Sequence, residues 1–169
     1  IGKWNISVEI GRVDIMLWRE QPRSVILIEN KSNDANDQPN QLYRYWHQQI
    51  YRRDRALDYT DPDVRRSFHV IYLSSNGSKE PAPHSLERPT GWELLNPAPM
   101  VPSSICKRLA FPELTELWQR ETLKHIPTSN VRLINFIHYY NDHWNPMSNN
   151  NLIHQSVAIF DSVEKWTAL

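Results

Sequence analysis

The sequence has little cysteine, little glycine and no excess of charge, and each shortage excludes a class of site. Cys106 is the single cysteine among 169 residues, which rules out an internal disulfide and a cysteine-rich zinc site and favours a reducing, cytoplasmic setting. The four glycines form neither a P-loop nor a dinucleotide-binding fingerprint. Basic and acidic side chains number 19 each, so any contact with a polyanion must be local.

Long apolar runs are also missing. No segment approaches the roughly 18 consecutive apolar residues that span a membrane, and no signal-peptide pattern opens the chain, so we expect no membrane partner. The length suits one compact domain. Because the sequence begins at Ile1 with strand-like residues, we expect the natural protein to extend further upstream.

The first third of the chain contains three strand patterns in close succession. Polarity alternates over residues 3–9, and a turn at Gly11 precedes a second predicted strand at residues 13–18. Residues 24–31 are apolar on both faces, which is typical of a central strand.

A helix is predicted to join the third strand to a fourth. Asp37 is a candidate N-cap for a helix over residues 38–57, and residues 68–73 predict the fourth strand. A strand-helix-strand unit of this length favours parallel pairing of the two strands.

The second half of the chain is predicted to be irregular and then helical. Residues 76–102 are rich in proline, so we predict an irregular connection with one short strand at residues 92–95. The predicted helices cover residues 104–125 with a kink at Pro112, a segment starting near Thr128 or Ser129, and an amphipathic stretch at 151–167. The whole is read as one α/β domain, with a core at residues 1–75 and a helical extension at 103–169, whose exposed apolar faces could support a homodimer.

Charged residues at the end of the third strand point to chemistry. Glu29 and Lys31 share one strand face and Asn30 lies on the other, and buried charges need partners. Asp14, on the neighbouring strand, can converge with Glu29. Two carboxylates with a backbone carbonyl are ligands suited to Mg²⁺ or Mn²⁺, and a lysine beside them can hold a water or stabilise phosphate charge. This is the minimal set for metal-assisted phosphodiester hydrolysis.

Three short motifs resemble those of one enzyme superfamily. GRVDI at residues 11–15, IENK at 28–31 and QLYRY at 41–45 are similar to the motifs of the PD-(D/E)XK nuclease superfamily, in particular its RecB-like branch with a Gln-hydrophobic-x-x-Tyr motif. The resemblance is clearest over residues 8–75 and is closest to uncharacterised bacterial and phage-associated members. It implies a restriction-endonuclease-like mixed sheet flanked by helices.

The resemblance also implies an activity and its residues. It implies a Mg²⁺- or Mn²⁺-dependent nuclease, with DNA favoured over RNA as the substrate. The implied catalytic residues are Asp14, Glu29, Lys31, Gln41 and Tyr45. The implied metal ligands are Asp14, Glu29 and the carbonyl of Asn30. Members usually carry a helix before the first strand that often supplies another acid, whereas the upstream acid here, Glu9, lies on a predicted strand.

The helix predicted at residues 38–57 has two faces. At 100° per residue, an apolar stripe lies well away from a polar one. The apolar stripe comprises Leu42, Trp46, Ile50 and Leu57. The polar stripe comprises Gln41, Tyr45, Gln48, Arg52 and Arg55. Arginine binds phosphate in a bidentate fork, so Gln48, Arg52 and Arg55 are candidate substrate-binding residues.

The sequence is compatible with other interpretations. The chain could be a catalytically inactive nuclease-fold module that binds nucleic acid or a protein partner, or a helical interaction domain acting through residues 104–167. An isolated Glu-x-Lys is more often a solvated surface pair. For Asp34 and Asp37, N-capping or loop solvation is favoured over metal ligation.

Overall fold

A mixed β-sheet forms the centre of the first of two compact units, which divide between Ala110 and Phe111. The computed structural model describes residues 2–31, 35–75, 78–96 and 98–144. The sheet has five strands in the order β1-β2-β3-β4-β5. They are β1 (Asn5–Ile10), β2 (Val13–Glu20), β3 (Arg23–Lys31), β4 (Phe68–Ser74) and β5 (Cys106–Ala110). The predicted α/β class is therefore confirmed.

The first three strands form an antiparallel meander. Gly11 and Arg12 connect β1 to β2 with φ angles of 62° and 69°, the left-handed conformation that a two-residue hairpin turn of type I′ requires. Gln21 and Pro22 connect β2 to β3. The strand predicted to be central, β3, has β2 on one side and β4 on the other, as expected from its apolar residues on both faces.

The connection from β3 to β4 is helical and the two strands are parallel, as predicted. It contains α1 (Gln41–Trp46), which continues as a π-helical turn (His47–Tyr51), and α2 (Pro62–Ser67). The predicted helix over residues 38–57 was thus too long at both ends. Asn40, in a left-handed conformation with φ of 56°, occupies the N-cap position that had been predicted for Asp37.

The largest error of the sequence prediction concerns residues 104–125. Residues 106–110 are strand β5, which pairs in parallel with β4, and helix α4 (Phe111–Leu117) begins only after it. Pro112 therefore lies in the first turn of a helix, where proline is tolerated, and not at a kink. A π-helical turn (Trp118–Thr122) and a 3₁₀ turn (Leu123–His125) follow.

The proline-rich connection also differs from its prediction in one detail. Residues 92–95 form turns and not the expected strand, and the short helix α3 (Pro83–Leu86) lies before them. The connection is otherwise irregular, as predicted. Val101 and Ile105, at its end, belong to the buried hydrophobic core of the first unit.

The core lies between the sheet and the helical segment that follows β3. Leu42, Trp46 and Ile50 are fully buried there, together with Val25 and Leu27 of β3. Three of the four residues of the predicted apolar stripe are thus buried in this core. The fourth, Leu57, lies beyond the helical segment, which ends at Tyr51, and is only partly buried. Burying each such side chain contributes roughly 1.5–3 kcal/mol, so this stripe fixes the position of α1 relative to the end of β3.

The second unit contains α4 and α5 (Val131–Trp144), whose aromatic rings contact one another. The rings of Phe111 and Trp144 stack with their centroids 4.2 Å apart. Asn130 precedes α5 and accepts a hydrogen bond from the Leu133 N–H, so the cap lies just after the predicted Thr128 or Ser129. The stretch predicted at 151–167 lies outside the described residues. None of the described helices is long and apolar enough to cross a membrane.

Candidate functional site

The hairpin of β2 and β3 brings two acidic side chains together. Ile15 pairs with Ile28, and continuing this register by one residue places Asp14 beside Glu29 on the same face of the sheet. The Asp14 carboxylate accepts a hydrogen bond from the Asn30 backbone N–H at 2.7 Å. Asp14 is also near enough to act on Glu29 electrostatically. Burial first, and then the Asp14 carboxylate, raise the pKa of Glu29 against the opposing effect of Lys31.

Glu29 and Lys31 form a buried ion pair at the end of β3. The Lys31 Nζ lies 2.8 Å from the Glu29 Oε1, and each side chain is only 5% exposed. The two residues are two apart on a strand and therefore share a face, as predicted. The alternative of a solvated surface pair is wrong, because both groups are shielded from water.

Helix α1 adds an amide that contacts both members of this pair. Gln41 Oε1 accepts a hydrogen bond from Lys31 Nζ at 3.2 Å, and Gln41 Nε2 donates to Glu29 Oε1 at 2.9 Å. The same Nε2 lies 2.9 Å from the Tyr45 hydroxyl, one helical turn further on. The sequence motif QLYRY thus places its glutamine and its second tyrosine at the ion pair.

Tyr45 closes the site on the side of the helix. Its side chain belongs to the core and is only 3% exposed. Burial raises the pKa of Tyr45 to about 12, so its hydroxyl stays protonated at neutral pH. Tyr45 is therefore suited to orienting Gln41 and Glu29 and not to exchanging a proton.

The second carboxylate oxygen of Glu29 is consistent with a bound cation. Glu29 Oε2 is buried and has no hydrogen-bond partner in the part of the chain that the structure describes, which is costly unless an ion or water satisfies it. Within the same ranges, no three His, Cys, Asp or Glu side chains come together as a metal-binding group. Asp14 and Glu29 alone fit Mg²⁺, which is usually held by one or two carboxylates and keeps several waters.

Asn30 and Glu9 are exposed, unlike the buried Glu29. Asn30 is exposed, and its backbone N–H is the group that contacts Asp14. Glu9 is exposed on β1, with a φ of 57° that interrupts regular strand geometry. Among the described residues, it does not complete a three-acid group with the two carboxylates.

Asp37, for which the sequence favoured N-capping or loop solvation, contacts the buried ion pair of the site. Its side chain is 2% exposed, and its Oδ1 lies 3.3 Å from Lys31 Nζ. A signal for it was present, because a buried ammonium has three donors and needs three acceptors. Glu29 and Gln41 supply two of them, which leaves one for an acid in the loop between Lys31 and Gln41. The other acid of this loop, Asp34, lies outside the described residues.

The predicted substrate-binding residues are on the surface and do not form one continuous stripe with Gln41. Gln48 is exposed in the π-helical turn, and Arg52 is exposed at its end. Arg55 is exposed in a separate turn beyond the helix. A π-helical turn contains more residues than an α-helical one, so the spacing that defined the predicted stripe does not hold past Trp46.

Comparison of the chain with protein-family models, with curated proteins and with solved structures found no match. The chemistry of the site therefore has to be inferred from its own residues. These are the buried ammonium of Lys31, the carboxylates of Glu29 and Asp37 in contact with it, and the Asp14 carboxylate on the neighbouring strand. Asp37 comes from the loop that precedes α1.

Proposed function

We propose that this chain is a divalent-metal-dependent nuclease that hydrolyses phosphodiester bonds of nucleic acid, with DNA as the expected substrate. The observation that carries the proposal is the buried ion pair of Glu29 and Lys31, held by Gln41 and lying beside Asp14. The order of the strands supports a restriction-endonuclease-like fold, since an antiparallel meander is followed by a helical crossover to a parallel strand. The three PD-(D/E)XK-like motifs support the same conclusion.

Asp14 and Glu29 would hold Mg²⁺ or Mn²⁺, with the carbonyl of Asn30 as a further oxygen ligand. The unpartnered Oε2 of Glu29, in the described part of the chain, supports this assignment. When bound, such a cation stabilises negative charge on a phosphate oxygen and lowers the pKa of a coordinated water.

Lys31 acts in this proposal as a charged donor. Burial favours its neutral form, but the contacts with Glu29 and Asp37 outweigh burial and raise the pKa of Lys31. Its ammonium therefore keeps its proton and can orient a water or a phosphate oxygen by donating a hydrogen bond. Gln41 fixes the carboxylate of Glu29, and Tyr45 fixes Gln41.

A cleavage assay tests the proposal. Linear duplex DNA, circular duplex DNA, single-stranded DNA and RNA are incubated with the protein in Mg²⁺ or Mn²⁺, and cutting of the circle identifies an endonuclease. We expect cleavage by the wild type and none by the folded variants Asp14→Asn, Glu29→Gln and Lys31→Met. Asp63→Asn, at a side chain that is 87% exposed, is the matched control and should cleave normally.

Two outcomes would contradict the proposal. Full activity in all three variants would show that cleavage arises elsewhere. A wild type that binds nucleic acid but cuts none of the four substrates in either metal would favour the non-cutting module.

Arg52 and Arg55 are proposed to bind the phosphate backbone of the nucleic acid. Both residues are exposed and follow the π-helical turn that continues α1. Replacing both with glutamine should weaken nucleic-acid binding and flatten its dependence on salt, by about 0.9 in the log-log slope for each phosphate that the protein no longer neutralises. The paired change Arg65→Gln and Arg66→Gln in α2 is the control. If the salt dependence of binding is unchanged in the Arg52 and Arg55 variant, or changes equally in the control, these two residues are not the phosphate-binding site.

A further inference from the structure

Asp37 is held in place by groups other than the lysine that it contacts. Its Oδ2 accepts a hydrogen bond from the Ala82 backbone N–H at 2.7 Å, and the Tyr72 hydroxyl lies 3.1 Å from its Oδ1. Tyr72 is fully buried on β4, and Ala82 immediately precedes α3. The carboxylate is therefore fixed by two separate elements of the fold, and its position does not depend on Lys31.

The three donors of Lys31 are shared among three acceptors. Nζ lies 2.8 Å from Glu29, 3.2 Å from Gln41 and 3.3 Å from Asp37. An ammonium has three N–H groups, so the lysine must give up one of these contacts before it can hold a water or a phosphate oxygen. Glu29 is the acceptor that a divalent cation would also use.

Charge determines which contact can be given up. A divalent cation at Glu29 competes with the ammonium for that carboxylate and repels it. Asp14, Glu29 and Asp37 carry three negative charges when ionised against one positive charge on Lys31, so a divalent cation would neutralise the group. Without Asp37, the cation and the lysine would leave a net positive charge in a buried site, which is unfavourable.

We propose that Asp37 is a positioning residue that keeps the Lys31 ammonium at the site when a divalent cation takes over Glu29. This inference rests on the proposed function, since it assumes that Glu29 binds the cation. Asp37 acts through Lys31 and the charge of the site. Glu29, in contrast, would bind the cation directly.

The test compares Asp37→Asn with the wild type in two measurements. Mn²⁺ affinity is measured by calorimetry without substrate, and kcat and KM are measured for cleavage in saturating Mg²⁺. Removing a group that contacts a metal ligand and not the metal itself typically costs roughly 10- to 100-fold in affinity or activity. We therefore expect a loss of that size in the Mn²⁺ affinity and in the kcat of Asp37→Asn. The KM for the nucleic acid should change little. Asp63→Asn should match the wild type in both measurements.

A spectroscopic measurement separates positioning from general damage to the fold. The ¹H–¹⁵N signal of the Lys31 ammonium should persist in the wild type after Mg²⁺ is added, because Asp37 still holds it. In Asp37→Asn the signal should be lost on addition of Mg²⁺. If Asp37→Asn does not fold, Tyr72→Phe, which removes one donor to Asp37 and leaves its charge, should show a smaller loss of kcat in the same direction.

The outcomes distinguish this inference from the proposed function. If the wild type binds Mn²⁺ and cleaves, while folded Asp37→Asn keeps the wild-type affinity, kcat and ammonium signal, the role of Asp37 is refuted and the nuclease assignment stands. If the wild type neither binds Mn²⁺ nor cleaves, the nuclease assignment fails and this inference fails with it.

Discussion

Removing the charge of Lys31 should destabilise the protein by a predictable amount. Lys31→Met keeps most of the apolar stem but leaves Glu29 and Asp37 buried without their common counter-charge, at side-chain exposures of 5% and 2%. Breaking a buried pair by removing one partner costs about 3–5 kcal/mol. For a chain of this size this corresponds to a fall of roughly 6–20 °C in Tm.

Urea unfolding at pH 7, monitored by tryptophan fluorescence and circular dichroism, measures this loss in the free energy of unfolding. The loss of stability in the variant should be smaller at acid pH, because protonation of Glu29, whose pKa is already raised by burial, removes a buried negative charge that has lost its counter-charge. Mg²⁺ should stabilise the variant more than the wild type, since the ammonium no longer competes for Glu29. A ligand at one hundred times its Kd contributes about 2.7 kcal/mol. A variant as stable as the wild type at pH 7 would refute the buried ion pair.

Two further predictions concern the packing around the site. Leu42→Ala should lower the free energy of unfolding by about 2–5 kcal/mol, because Leu42 lies on the face of α1 that is fully buried. Leu94→Ala, at a fully exposed side chain, should change it by less than about 0.5 kcal/mol. Equal losses of stability in urea unfolding would contradict the assigned core. Because burial raises the pKa of Tyr45 to about 12, the unfolded state ionises first and stability should fall as pH rises from about 10 towards 12. Tyr45→Phe should reduce that fall and Tyr139→Phe, at a side chain that is 61% exposed, should not, which pH-dependent unfolding would check.

Much of the first unit could be predicted because its signals are local. The apolar residues on both faces of β3 indicated a central strand, and the two-residue spacing of Glu29 and Lys31 put both on one face. The spacing of Gln41 and Tyr45 placed them one helical turn apart. Their contacts in the structure follow from these periodicities.

The errors arose where distant contacts override local preference. Residues 106–110 contain Lys, Arg, Leu and Ala, which favour helix, but pairing with β4 makes them a strand. The π-helical turn shifted the phase of the helix after Trp46. Arg55 is off the predicted stripe because the helical segment ends before it, at Tyr51. Asp37 was read as a helix cap because its partners Tyr72 and Ala82 are more than thirty residues away, and no local pattern indicates them.

We propose that one divalent cation binds between Asp14 and Glu29. A crystal of the protein soaked in Mn²⁺, with data collected to show the anomalous signal of manganese, locates that ion directly. We predict one peak within coordination distance of both carboxylates, which is about 2.1 Å for the comparable Mg²⁺, and its loss in Glu29→Gln. A peak that contacts neither carboxylate, or no peak at a Mn²⁺ concentration that supports cleavage, would contradict the account.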